Sequence, residues 1–337
     1  MSGIDTTRFM FRDFVMEDCP KGWKYHPVIT SGSIIGESYD YTCTIKNGVI
    51  IDYVYYPNKN TKKPPSLFIK CSSIPRILYG NNFTSISDFS GVWDSIQIEL
   101  QKDPNSIIPY DLIGAELSRL DIFRHYDVGH MNMESYLSVI SRAIYPKRER
   151  GPYRNSNNMN QRVEVNNGYT FHSNHINTNF YDKHLQCGEE RVRGHLRHEI
   201  QLTSANVIRD RFQLNDPRCM DITPEFIDFY LEKDLEVMRL DHSIIDQNTA
   251  ENILTENYGY KGGTRLLDLC VYMQTHPTLA VEQIMKNRGI KDRDHFTKQM
   301  RLINNVGITP YLLPYGRELP KLSDSVVVIC EKKTGLS

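Results

Sequence analysis

The chain has no apolar run approaching the ~20 residues that span a bilayer. Its seven cysteines stand singly, at 19, 43, 71, 187, 219, 270 and 330, with no Cys-x-x-Cys pair. That spacing suggests neither a zinc ribbon nor a disulfide framework, and it fits a reducing, cytoplasmic setting. Met1-Ser2-Gly3-Ile4-Asp5 has neither the basic nor the apolar region of a secretion signal. Neither sign of charge prevails: the formal net charge is −1 and the pI about 6.8, against a protein that coats nucleic acid indiscriminately. Gly-x-x-x-x-Gly-Lys-Ser/Thr, Gly-x-Gly-x-x-Gly and Gly-x-Ser-x-Gly are all missing. Nucleotide hydrolysis, dinucleotide binding and serine hydrolase chemistry therefore lack support. No internal repeat or low-complexity tract is present.

What is there suits two domains: 337 residues, of which 39% are hydrophobic and 24% charged. Up to Ser204 the chain reads mainly as strands: 4–11, a hairpin 41–45 and 49–56 turning at Lys46-Asn47-Gly48, then 66–71, 117–123, 162–165, 168–172, 176–183 and 195–202. Two helices interrupt them. The first carries the stripe Ile86, Phe89, Trp93, Ile96 and Leu100, and the second Met133, Tyr136, Leu137, Ile140 and Ile144. Residues 146–161 form a polar loop whose basic groups, Lys147, Arg148, Arg150 and Arg154, are candidate DNA contacts. From Ala205 the pattern is helical, and helices at 278–288 and 292–306 have the lengths and turn of a helix-turn-helix. A short strand, 326–329, ends it. The expected fold is α+β: an antiparallel sheet with flanking helices over 1–204, then a mainly helical domain over 205–337.

Chemistry concentrates between Tyr169 and Ser204. A strand's period of two puts Asn177, Asn179, Tyr181 and Lys183 on one face. In 195–202 the apolar Leu196, Ile200 and Leu202 alternate with His195, Arg197, Glu199 and Gln201, and His198 turns inward with the leucines. Arg119-x-Asp121 repeats the Arg197-x-Glu199 step. A tyrosine oxygen can attack a phosphodiester and store its bond energy as a phosphotyrosine ester, if a cation such as Lys183 or a metal favours the phenolate. Asp121 and Glu199 offer hard oxygens suited to Mg²⁺ or Mn²⁺. Arg119 and Arg197 could clamp phosphate oxygens or hold the acids. Each residue also has a plain structural reading, because tyrosines pack on sheets and Arg-x-Asp makes cross-strand ion pairs. His172, His175, His184, His195 and His198 crowd the region without the spacing of a zinc motif.

The series Phe68-Ile69-Lys70-Cys71-Ser72, Ile77-Leu78-Tyr79-Gly80-Asn81-Asn82, Leu117-Ser118-Arg119-Leu120-Asp121, Phe180-Tyr181-Asp182-Lys183-His184 and Leu196-Arg197-His198-Glu199 resembles the gene II replication endonucleases of filamentous bacteriophages. It is also similar to the initiators of rolling-circle plasmids. The resemblance spans about 1–204. It implies an enzyme that nicks one strand of a double-stranded origin, keeps the 5′ end on a tyrosine, and frees a 3′-OH for host polymerase and helicase. It also implies single-stranded DNA as a partner and a bacterial cytoplasm as the setting. Carried over, the nucleophile is Tyr181 with Lys183 beside it, and the metal ligands are Asp121 and Glu199. Where the phage proteins have Gly-His-Asn this chain has Gly80-Asn81-Asn82, and the paired histidines of other rolling-circle nucleases are missing. The alternatives are a sequence-specific DNA-binding protein without catalysis and a metal-dependent nuclease using water.

Overall fold

Alternating apolar and polar side chains build one antiparallel sheet, seen in a computed structural model that describes residues 2–30, 33–57, 64–86, 91–153, 167–277 and 279–329. In chain order the strands are β1 (Gly3–Arg12), β2 (Lys24–Thr30), β3 (Ser33–Thr44), β4 (Ile50–Tyr56), β5 (Ser66–Cys71) and β6 (Glu116–Asp127). They continue as β7 (Glu149–Pro152), β8 (Gly168–His172), β9 (Ile176–Asp182), β10 (His195–Leu202) and β11 (Val326–Val327). Across the sheet the order is β2-β3-β4-β5-β1-β6-β10-β9-β8-β7. β11 pairs with Tyr126 and His125 of β6, on from where β1 stops at Phe123.

One face of this sheet is covered. Ile4, Ile51, Ile69, Leu120, Ile122 and Ile200 share a core with α1 (Ile74–Tyr79), α2 (Val92–Gln101), α5 (Ala205–Phe212) and α6 (Pro224–Met238). Further along, Tyr126, Phe171, Phe180 and Leu196 pack with α3 (His130–Ile140) and the end of α6. Each fully buried aliphatic or aromatic side chain contributes about 1.5–3 kcal/mol. The chain crosses residue 205 without leaving this core, because Ile208, Phe212, Ile227 and Leu231 all belong to it. α4 (Lys183–Cys187) follows β9 directly.

A separate cluster begins at Ile245 and gathers α7 (Gln247–Thr275), α8 (Val281–Asn287) and α9 (Arg293–Asn305). α7 is not one rod. Gly259 takes φ 69° and ψ 163°, outside the helical region. A Cβ on Gly263 would lie 2.5 Å from the Thr255 nitrogen, so the second half folds back across the first. In an unbroken helix those residues would be ~12 Å apart.

Several expected boundaries shift. The stripe from Ile86 suggests a helix beginning near Ser85, yet α2 begins only at Val92, after Gly91; Phe89 lies outside the described residues. The second helix stops at Ile140, so Ile144 is not part of it. The polar loop contains the edge strand β7, whose Gly151 and Pro152 suit an edge without needing a buried face. The strand expected at 162–165 lies outside the described residues. β2 and α1 add to the expected elements.

Candidate active site

The other sheet face is polar, and register brings its groups together. On β10, Arg197 stands between Tyr181 and His125, Glu199 between Asn179 and Phe123, and Gln201 between Asn177 and Asp121. Thr6 of β1 pairs with Asp121, and a bulge between Ile4 and Thr6 turns Asp5 toward the same groups. The period of two that places Leu196 and Ile200 in the core thus forces Arg197 and Glu199 onto this face.

Tyr181 is only 2% exposed, and its hydroxyl donates to Glu199 Oε2 at 2.9 Å. Arg197 joins three groups: Nε reaches Glu199 Oε2 at 3.1 Å, Nη2 reaches Asp5 Oδ1 at 2.8 Å, and Nη1 donates to the Asn82 carbonyl at 2.9 Å. Its guanidinium lies 3.8 Å from the Phe123 ring centroid and 6.0 Å from that of Tyr181. Gln201 donates to the second oxygen of Glu199 at 2.7 Å. Tyr153 stacks on Tyr181 with centroids 4.1 Å apart and planes 9° from parallel. Gly168, opposite Tyr181 on β8, has no room for a side chain: a Cβ would sit 2.0 Å from the Phe180 carbonyl oxygen. A glycine there lets β8 close onto the tyrosine strand.

Burial pushes the Tyr181 phenol well above its ordinary pKa, against the pull of Arg197, so the resting group is neutral. Burial, then the Arg197 charge, lowers Lys183 to about 7. Burial raises Asp121 to about 7 despite the Arg119 guanidinium, which grips it at 3.0, 3.2 and 2.7 Å. Burial works against ionised Asp5 too, but Arg197 and Lys183 outweigh it and its pKa falls.

Tyr181, Glu199 and Arg197 meet directly, and Arg119 and Asp121 stand on the same face. Lys183 differs from its expected setting: β9 ends at Asp182, so Lys183 opens α4 and gives its ammonium to Gln186 Oε1 at 2.7 Å. It stays buried, 1% exposed, near enough to Arg197 and Asp5 for their charges to act on it. His198 turns inward as expected, stacking on Phe180 and meeting Asp234 Oδ2 at 3.0 Å. Of the basic loop, Lys147 is exposed. Arg148 stacks on Tyr145 and donates to Thr178 Oγ1 at 2.5 Å, while Arg150 donates to the Ser141 and Pro277 carbonyls. These two guanidiniums are committed to the fold. Arg154 lies outside the described residues.

The donor set fits a divalent ion only in part. Asp121 and Glu199 are hard oxygen ligands, but both are already held by guanidinium groups. Among the described residues no three His, Cys, Asp or Glu side chains gather as a metal site.

Asp5, Arg8, Lys70 and Tyr153 join this face without being among the expected site residues. Arg8 stands between Lys70 of β5 and Arg119 of β6, so three cations lie side by side on this face. Lys70 is balanced by Asp52 at 3.4 Å and Arg119 by Asp121, whereas Arg8 donates from Nε to the Ser118 hydroxyl at 2.9 Å. Alternation along β1 could have exposed Arg8; its pairing with two strands far along the chain could not be read.

No protein-family model matches the chain, and no curated protein matches it. Among solved structures it is similar to a rolling-circle replication initiator protein from Geobacillus stearothermophilus, at 12% identity and a TM-score of 0.30, covering 69% of this chain and 96% of that one. So slight a likeness leaves function to be judged from the site itself.

Proposed function

We propose that the protein is a DNA strand transferase that starts rolling-circle replication, with Tyr181 as nucleophile. The observation that carries this reading is the Tyr181 hydroxyl on the Glu199 carboxylate, 2.9 Å apart, with the Arg197 guanidinium on the same carboxylate oxygen. Glu199 takes the phenolic proton as Tyr181 Oη bonds to phosphorus, and the P–O3′ bond breaks. The departing O3′ takes a proton from the Lys183 ammonium, leaving a 5′-phosphotyrosine and a free 3′-OH. Attack by a 3′-OH reverses these steps and rejoins the strand. Arg197 and Arg119 stabilise charge on the phosphate oxygens. The Tyr153 ring gives way to admit the phosphate. A host polymerase would extend the 3′-OH as a helicase opens the duplex, in a bacterial cytoplasm.

Mg²⁺ or Mn²⁺, on the oxygens of Asp121 and Glu199, would supply further positive charge at the phosphate. Adduct formation on supercoiled origin plasmid is expected to stop in EDTA and return with Mn²⁺. Mn²⁺ binding read by electron paramagnetic resonance is expected to weaken in Asp121→Asn. Full activity in EDTA would remove the metal from the account. Nicking with no covalent adduct points instead to the water-using nuclease, and footprinting without nicking to the binder.

As a proton donor Lys183 must be charged, a state held below its pKa of about 7 and lost above it. The adduct-forming rate is therefore expected to fall as pH rises through 7. In Lys183→Arg, which stays charged, that limb should vanish; an unchanged pH–rate profile would remove Lys183 from the proton transfer.

The row Lys70, Arg8 and Arg119 forms a track for backbone phosphates, with Lys147 and the outward Arg293, Lys298 and Arg301 of α9 as further contacts. Arg8→Ala should weaken single-stranded DNA binding at every sequence and reduce the salt slope by about 0.7. A salt titration showing the wild-type slope would exclude Arg8 from the track.

A further inference from the structure

Beside the tyrosine the polar face hollows into a cleft of about 520 Å³, lined by Gly151, Pro152, Tyr153, Thr170, His172, Asn177, Asn179 and Gln201. Its size falls within the ~300–1,000 Å³ range of small-ligand sites. Among the described residues that line it there is no carboxylate, lysine or arginine, in contrast to the arginines beside it. Instead three carboxamides converge, each offering N–H donors and a C=O acceptor. They are held in place: Thr170 donates to Asn179 Oδ1 at 2.9 Å, Asn177 to Gln201 Oε1 at 3.1 Å, and Gln201 to Glu199 Oε1 at 2.7 Å. That last bond ties the cleft to the carboxylate that receives the Tyr181 hydroxyl. Asn179 is one two-residue strand step, ~6.8 Å, from Tyr181.

We infer that this cleft seats an unpaired nucleobase of the nucleotide next to the scissile phosphate and reads its edge. Neutral amides are poor holders of a phosphate dianion or monoanion, but their paired donor and acceptor match a base edge, as Asn and Gln match adenine. Tyr153, which lines the cleft and stacks on Tyr181 at rest, supplies an aromatic face on which a base can stack once the ring gives way. The inference rests on the tyrosine-transferase reading and adds a specificity determinant to it: the phosphate row grips any sequence, and the amide cleft selects.

The test uses the full chain and single-stranded oligonucleotides carrying each base, or an abasic site, at every position flanking the cleavage point. Binding is read by fluorescence anisotropy and covalent adduct on a denaturing gel. For the wild type, the wrong base or an abasic site at one flanking position is expected to cost about 5- to 150-fold. Asn177→Ala, and Asn177→Asp, which keeps size but loses both N–H donors, should flatten or redirect that preference. Unfolding midpoints check that both variants are folded. Adduct formation with the same base preference in wild type and both variants overturns the cleft and leaves the tyrosine reading standing. Base-dependent binding that changes in the variants, with no adduct in any protein, supports the cleft and overturns the tyrosine reading. Binding without base preference in the wild type overturns the cleft outright.

Discussion

In Tyr181→Phe the covalent protein–DNA adduct is expected to disappear, a loss of at least about 10³-fold in rate, because a phenyl ring has no oxygen to bond to phosphorus. The fold should hardly notice. Glu199 Oε2 loses one neutral donor but keeps Arg197, and Glu199 Oε1 keeps Gln201. A lost hydrogen bond of this kind costs about 0.5–1.5 kcal/mol. Denaturant midpoint and gel assay together separate lost chemistry from lost structure. An adduct persisting at the wild-type rate in a folded variant would move the nucleophile elsewhere, and Tyr153, stacked 4.1 Å away, would be the first candidate.

Arg197→Ala is expected to have the largest effect on stability. Arg197 is 1% exposed and holds two carboxylates, Asp5 and Glu199, besides the Asn82 carbonyl. Without it those acids stay in a poorly solvated layer with Lys183 as a weaker opposing charge, itself hydrogen-bonded to Gln186. Breaking such a buried pair costs about 3–5 kcal/mol. Against a total stability of about 5–15 kcal/mol this is severe. Arg197→Lys restores the charge but not the planar fork that reaches three partners, so it should recover only part of the loss. Urea unfolding measures both; an Arg197→Ala loss below about 1 kcal/mol would mean that the acids find other partners.

The central layer was legible because its strands alternate cleanly. Leu120 and Ile122 against Arg119 and Asp121, and Leu196 and Ile200 against Arg197 and Glu199, state which side faces the helices. The same pattern turned His198 inward. Asp5 was hidden because a bulge, not alternation, turns it toward Arg197, a partner almost the whole β-segment away. Lys183 counted as a strand residue because period-two spacing continues past the point where Asp182 caps a helix, its side chain accepting from the Leu185 N–H. Arg148 and Arg150 looked like solvent-facing charges, since composition cannot tell a guanidinium facing water from one spent on a carbonyl. The fold-back of α7 had its signal in Gly259, Gly262 and Gly263, but a glycine cluster does not give the direction of the turn.

The central claim is that one tyrosine among 20 becomes bonded to DNA. Trapping the reaction on a single-stranded oligonucleotide, digesting both components and sequencing the cross-linked peptide by mass spectrometry reads that bond directly. The expected result is a nucleotide phosphate on Tyr181, within the peptide that carries Asp182 and Lys183. A phosphate on any other residue, or DNA cut with no modified peptide, would contradict it.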